Sequence, residues 1–306
     1  MRVLFMGSPE IAVPTLEAVA GAHTVVAVVT QPDRPRGRGQ DVAAPAVKLA
    51  AQRLGLPVLQ PQKIRTPEFE AELRALAPDV GVVIAYGRIL PASILGVPRH
   101  GCLNVHASLL PRYRGAAPIQ WSIIRGERET GVTLMRMDVG LDTGPMLLER
   151  RVAISDDDTT GTLTTKLAPL GAEVTLDGLG RLAAGTLTET PQDHAQHTLA
   201  PMLDKSAGKV DFTQPARAVS CLVRGVDPWP GATCLLGGEV LKLFGPRVLS
   251  GTAPPGTVLG ADRDGLVVAC GEGAIAFAEL QLPGRKRMSA RALLVGRPIP
   301  PGTVLS

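Results

Sequence analysis

The sequence predicts an α/β protein in two parts. A doubly wound, mainly parallel sheet occupies residues 1–188 and a small β-barrel residues 208–306, with a linker at 189–207. Two observations carry this. Strand-like and helix-like runs alternate through the first part, the pattern of crossover connections in a parallel sheet. Short β-branched runs cut by Gly and Asp-Gly turns fill the second part, as in a closed antiparallel sheet. At 306 residues and 45% apolar content, the chain can bury two cores.

The first part reads in order. Residues 2–6 (RVLFM) form a buried strand stopped by Gly7, and 14–20 a helix after the Ser8-Pro9 turn. Strands at 24–30, 57–60 and 80–85 alternate with helices at 45–54 and 67–76. The first strand-to-helix turn is GSPEIAVP, not GxGxxG, so a nicotinamide (NAD) cofactor loses its main support. Ligands in such sheets still sit beyond the carboxyl ends of the strands, where IAYGRILP (84–91) and NVHASLLP fall. Between the second strand and its helix, TQPDRPRGRGQ (30–40) holds two prolines, two glycines and three arginines, too irregular for a packed element. It is either a solvated loop or a basic arm whose guanidinium forks grip phosphates. Further on, Asp156, Asp157 and Asp158 precede a helix at about 160–184, where they suit its N-terminus better than a metal.

Residues 185–208 turn polar and aperiodic, as a linker does; His194-x-x-His197 lacks a third ligand and is a weak metal pair. Four widely spaced cysteines without CxxC read as buried thiols of a reducing cytosol. The mean hydropathy is +0.17, yet no apolar run approaches the ~18 residues of a membrane span. The first residues read as a strand and not a cleavable signal. Residues 1–205 are charge-balanced, with 21 basic and 21 acidic residues, while 206–306 hold 11 against 7 and so the whole excess of +4. A basic second half suits a polyanion.

The chain is organised around residues 101–145, GCLNVHASLLPRYRGAAPIQWSIIRGERETGVTLMRMDVGLDTGP. If 103–106 end a strand, Asn104 and His106 point to one face. Asp142 lies in a Gly/Pro-punctuated loop between β-rich runs at 132–137 and 146–154. Amide, imidazole and carboxylate supply a neutral donor, a tunable acid/base and an orienting anion, enough for proton transfer and oxyanion stabilisation. Asp138 is the competing carboxylate and better suits capping the turn after the strand.

NVHASLLPRYRGAAPIQ followed by GVTLMRMDVGLDTGPML resembles the signature of the folate-dependent formyltransferases. TQPDRPRGRG, DDTTGTL and LDKSAGKVDF are further family-like runs, so the resemblance covers nearly the whole chain. It implies formyl transfer from 10-formyltetrahydrofolate to an amine, without metal or NAD, and points to members that formylate initiator methionyl-tRNA for translation initiation. Protonated His106 and Asn104 would stabilise the oxyanion, Asp142 would orient the imidazole, and no covalent enzyme intermediate is needed. The folate would lie against the backbone of Ile84, Tyr86 and Gly87 and that of Val139, flanked by Ser108, Leu109, Leu110 and Pro111. The loop bearing Arg34, Arg36 and Arg38 would wedge into the tRNA acceptor stem, with Arg38 foremost. Lys205 and Lys209 at the junction, and Arg285, Lys286 and Arg287 on an OB-like barrel, would contact the tRNA; GRKR could also be a merely solubilising turn. The resemblance also implies a monomer, and with no transit segment visible in the sequence the bacterial cytoplasm is the expected compartment. A formyltransferase acting on a small amine, such as a nucleotide sugar or glycinamide ribonucleotide, is the runner-up. A deformylating hydrolase and a catalytically dead tRNA-binding module stand behind it.

Overall fold

The computed structural model describes residues 1–36, 41–262 and 265–306, and the chain divides into two compact units. Unit 1 comprises Met1–Pro118, Thr130–Val152 and Thr164–Pro201; unit 2 comprises Ile119–Glu129, Ala153–Leu163 and Met202–Ser306.

Unit 1 carries strands β1 (Arg2–Gly7), β2 (Thr24–Val29), β3 (Arg34–Arg36), β4 (Asp41–Ala43), β5 (Val58–Leu59), β6 (Val80–Ile84), β7 (Cys102–His106), β8 (Arg114–Gly115), β9 (Glu129–Arg136), β10 (Met146–Ala153) and β11 (Leu199–Ala200). Seven of them form one sheet in the order β10-β9-β7-β6-β1-β2-β5. The five strands from β5 to β7 are parallel, and β9 runs antiparallel to β7. The central strands are apolar on both faces because both faces are covered. Leu4, Met6, Val29 and Val83 pack with Phe69 and Leu73 of helix α1 (Pro67–Ala75) and with Ile94 and Leu95 of the short helical turn Ala92–Leu95. On the other face, a Cβ added at Gly171 of helix α2 (Thr160–Ala184) would lie 3.3 Å from Val105, 3.4 Å from Thr15 and 3.7 Å from Ile84. Two helical turns further, a Cβ added at Gly178 would run into the side chain of Leu134 of β9, so the close approach of helix and sheet there uses the missing side chain of Gly.

The strand order reverses between β1 and β6, the place where an open α/β sheet leaves a crevice at its carboxyl ends. Side chains staple those ends together: Ser8 Oγ and Gln31 Nε2 both donate to the Tyr86 carbonyl, at 3.3 and 3.0 Å.

Three findings differ from the sequence expectation. The TQPDRPRGRGQ stretch is not wholly irregular, because β3 and β4 pair antiparallel, Arg34 opposite Ala43 and Arg36 opposite Asp41. Its foremost candidate, Arg38, lies outside the described residues. The supposed linker is partly built into unit 1: Thr190 bridges Met146, and β11 pairs parallel with β8. Periodicity could not reveal this, since two-residue pairings leave no repeat. The helix after the Asp run is capped by Thr159, whose Oγ1 accepts from Thr162 N at 3.2 Å, while Asp158 accepts from Ser155 N at 2.7 Å and Thr162 Oγ1 at 3.0 Å.

In unit 2, β12 (Ala232–Leu236), β13 (Glu239–Leu249), β14 (Val258–Asp262), β15 (Gly265–Ala269) and β16 (Ala274–Gln281) form an antiparallel sheet in the order β12-β13-β16-β15-β14, with β17 (Met288–Ser289) beside β16. Leu305 bridges Leu236 and Val304 bridges Thr257, so the C-terminal residues meet both edges of the sheet and close it. Closure removes the exposed edges that an open sheet would present. Sequence reading for strands missed the amphipathic helix α3 (Ala216–Gly225), which buries Val219, Cys221 and Val223.

Candidate active site

β7 ends on the sequence N-V-H, and the two-residue period sets Asn104 and His106 on one face as expected. His106 is 5% exposed. Its Nε2 lies 2.9 Å from the Tyr113 carbonyl, which can only accept, so the proton is fixed on that nitrogen. Nδ1 then faces Asp142 Oδ2 at 3.7 Å. Both nitrogens of the imidazolium would therefore face acceptors.

Asp142 holds three groups together. Its Oδ1 accepts from Asn104 Nδ2 at 3.3 Å, and its Oδ2 accepts from the Gly115 backbone N–H at 2.9 Å and faces the imidazole. The loop carrying it is folded by Asp138, which accepts from Gly140 N at 3.0 Å and Thr143 Oγ1 at 2.7 Å. The two carboxylates thus divide the work, one shaping the loop and one facing the imidazole. Asp142 has φ 52°, Tyr113 φ 63° and Ala85 φ 47°. Of the four described non-Gly residues in the left-handed region, three therefore fall in the carboxylate loop, the turn after β7 and the end of β6. Strain of this kind persists where the surroundings over-determine it, commonly at functional sites.

The SLLP turn is fixed from within. Ser108 is fully buried and donates to the Arg112 carbonyl at 2.7 Å, while its own carbonyl accepts from Thr133 Oγ1 at 2.7 Å. Ser108 is thus a turn residue whose hydroxyl is engaged in its own turn. Leu109 and Pro111 are half-buried and Leu110 buried. The side chain of Tyr86 departs from a site role: it is 2% exposed and packs in the core, leaving only its backbone for a ligand. Ile84 is buried, whereas Gly87 is exposed. Ile89, Val139 and Leu141 are exposed at 72, 75 and 56%. Large apolar side chains held in solvent at these loops offer an apolar surface to a ligand.

Sequence reading missed the anchors of the carboxylate loop. The Gly115 N–H is a backbone group and leaves no sequence signal. Gln192, in the stretch read as a linker, donates through Nε2 to the carbonyls of Asp142 and Gly144 at 2.8 and 2.7 Å. Its Oε1 accepts from Arg114 Nε and Nη2 at 3.0 and 2.7 Å.

The basic candidates fall in both units. Arg34 is exposed beside Gln31, its Nη2 3.3 Å from Gln31 Oε1. The side chain of Arg36 is outside the description. Lys205 and Lys209 are exposed on unit 2, as are Arg285 and Lys286. Arg287 differs: its guanidinium bridges Asp227 at 3.2 Å and Glu279 at 2.6 Å and lies 4.0 Å from the Phe244 ring centroid. That charge is already paired within the unit.

The chain is similar to known proteins along its whole length. A family model described as formyl transferase matches residues 1–179, and one for the C-terminal domain of formyl transferase matches 202–298. A methionyl-tRNA formyltransferase of Citrifermentans bemidjiense is 52% identical over 306 residues, covering 100% of this chain and 96% of that one. A second, from Myxococcus xanthus, is 52% identical over 302 residues, covering 99% and 97%. Among solved structures, an N-formyltransferase of Helicobacter canadensis in complex with folinic acid and dTDP-3-aminofucose superposes with a TM-score of 0.70 at 18% identity, covering 90% of this chain and 99% of that one. HypX of Aquifex aeolicus in complex with tetrahydrofolic acid gives 0.64 at 19%, covering 96% of this chain but 47% of HypX. At such identities the structures speak for the fold. With models for both parts matched and half of its residues shared with relatives over its full length, the chain belongs to the formyl transferase family.

Proposed function

We propose that this enzyme transfers the formyl group of 10-formyltetrahydrofolate to the α-amino group of methionyl-initiator tRNA. The observation that carries the reading is the 52% identity, sustained across both units, to proteins named methionyl-tRNA formyltransferase. In this reading residues 1–188 form the formyltransferase domain, 189–207 a linker whose first part pairs with strands of that domain, and 208–306 the tRNA-binding barrel.

The folate, when bound, supplies the activated formyl group. The backbone of Ile84, Tyr86, Gly87 and Val139 would hold its ring, with the turn of Ser108, Leu109, Leu110 and Pro111 beside it. Asn104 would donate its second amide N–H to the formyl oxygen as negative charge develops there, and His106, whose two ring nitrogens face the Tyr113 carbonyl and Asp142, would add the positive charge of its protonated ring. Donors fixed in advance stabilise such charge without reorganising, and each is worth about 3–4 kcal/mol. Asp142 orients the imidazole and ties it to Asn104. Proton relay between the attacking amine and the departing nitrogen completes the exchange.

Arg34, Arg36 and Arg38 would grip the acceptor stem, and Lys205, Lys209, Arg285 and Lys286 would track phosphates, with Arg287 shaping the surface that presents them. The enzyme would act as a monomer in the cytoplasm. A small-amine acceptor is the second reading, favoured by the likeness to a fold that binds dTDP-3-aminofucose in the H. canadensis protein. The arginine-bearing β3–β4 ribbon speaks against it, since a small substrate needs no such arm.

The test is a formyl-transfer assay against charged initiator tRNA, uncharged tRNA, and amines including a nucleotide amino sugar. Transfer to methionyl-tRNA alone is expected. Transfer to the sugar instead would leave Asn104, His106 and Asp142 in their roles and overturn those of the basic residues.

A further inference from the structure

We infer that Gln192, backed by Arg114, is a positioning residue that clamps the carboxylate loop and so aims Asp142 at Asn104 and His106. The inference rests on the reading of those three residues as the reacting set. Gln192 and Arg114 are 5% and 4% exposed. The amide uses both ends: two donor contacts to the carbonyls of Asp142 and Gly144, and two acceptor contacts from one guanidinium fork. An amide has only two N–H donors and one oxygen, so none of its capacity is left for another task. Arg114 faces the amide oxygen and His194 Nδ1, the latter at 3.1 Å. A charge-assisted bond to the oxygen polarises the amide and strengthens the donors at its other end.

The clamp acts where the loop most needs it. Asp142 holds a left-handed φ of 52° that a non-Gly residue leaves unless restrained. Gln192 grips the carbonyl of that same residue. Loss of this grip lets the backbone relax, and the carboxylate then turns away from the Gly115 N–H and Asn104, which it meets at 2.9 and 3.3 Å.

Two variants of the full chain separate positioning from folding. Gln192→Glu keeps an oxygen for Arg114 but sets oxygen against the two loop carbonyls; Gln192→Met keeps the volume and removes every polar contact. We expect kcat to fall about 10- to 100-fold in both, the loss that a misplaced reacting group brings. KM for the folate and for the acceptor should stay within about twofold, because Gln192 touches the loop and not the substrate. In parallel, the Gly115 backbone amide, which meets Asp142 Oδ2 at 2.9 Å, is followed by NMR in protein labelled at glycine nitrogen and assigned with a Gly115→Ala variant; its resonance should move in the Gln192 variants as that hydrogen bond is lost. This second readout needs no substrate. Should the wild-type chain transfer formyl to neither acceptor class, the functional reading fails while the Gly115 resonance still decides the clamp. Unchanged kcat in both variants, an unmoved Gly115 resonance, or the failure of both variants to fold would overturn the inference, the last making Gln192 a folding element.

Discussion

Replacing Gly115 with alanine tests whether tertiary packing sets the geometry of the site. Gly115 has φ 124°, and a Cβ there would lie 2.7 Å from the Ala200 carbonyl oxygen, its partner across the β8–β11 pairing. The obstacle is backbone, so no rotamer change relieves it. The unfavourable dihedral costs about 1–3 kcal/mol, and the overpacking adds about 1–3 kcal/mol. The expected loss is therefore about 2–6 kcal/mol, a large part of the ~5–15 kcal/mol that holds a typical domain. Relief by moving β8 away from β11 would also carry off the N–H that meets Asp142 Oδ2 at 2.9 Å, so kcat falls along with stability. Gly55→Ala is the control: φ is 68° there, but nothing lies within 4 Å of the added Cβ, so only the dihedral cost applies. Urea unfolding of both variants and single-turnover formyl transfer by the folded fraction measure the difference. If Gly115→Ala cost no more stability than Gly55→Ala and kept full turnover, the close-approach argument would be refuted.

Asn104→Ala should lower kcat by about 100- to 1,000-fold at nearly constant KM, as loss of a fixed donor to a developing oxyanion does; steady-state kinetics with saturating folate would check it. All four cysteines are buried, and burial pushes the thiols of Cys102 and Cys234 up to about 12 and that of Cys270 up to about 11. Their thiolate fraction is thus far below that of a free thiol at pH 8, and a disulfide reagent should titrate them only after urea is added. Rapid native labelling of those three would contradict the burial. Arg287→Met should cost about 1–2 kcal/mol of unit stability, because it strips a cation–π contact and strands Asp227, whose side chain is 9% exposed. Lys286→Ala should instead leave the urea midpoint in place and reduce the salt dependence of tRNA binding by about one counterion.

Much of the sheet was readable in the chain because all but one of its seven strands run to five residues or more, long enough to show a pattern. RVLFM and TVVAVV are apolar on both faces, and only the interior of a covered parallel sheet uses such runs. Asn104 and His106 were readable as a pair for the same reason: a period of two is a local property of five residues. Asp142 was readable as a candidate through its loop composition, and its role came from resemblance. What remained hidden depends on contacts between residues far apart in the chain. Gln192 reaches Asp142 across fifty positions, and the chain around it has neither period nor motif. The same holds for Arg287, where a basic GRKR turn looks uniform in sequence, yet a pair of carboxylates and a phenyl ring claim one of its charges.

By itself, then, the sequence determined the order of the elements, the faces they bury, and the types of side chain offered for chemistry, since these follow from local periodicity and composition. Only the tertiary structure decided which nitrogen of His106 carries a fixed proton, which carboxylate turns toward it, and which buried amide holds that carboxylate's loop. Those outcomes rest on hydrogen-bond distances of a few ångströms between separate segments, and such distances exist only once the sheet, the turn after β7 and the chain beyond α2 have packed together.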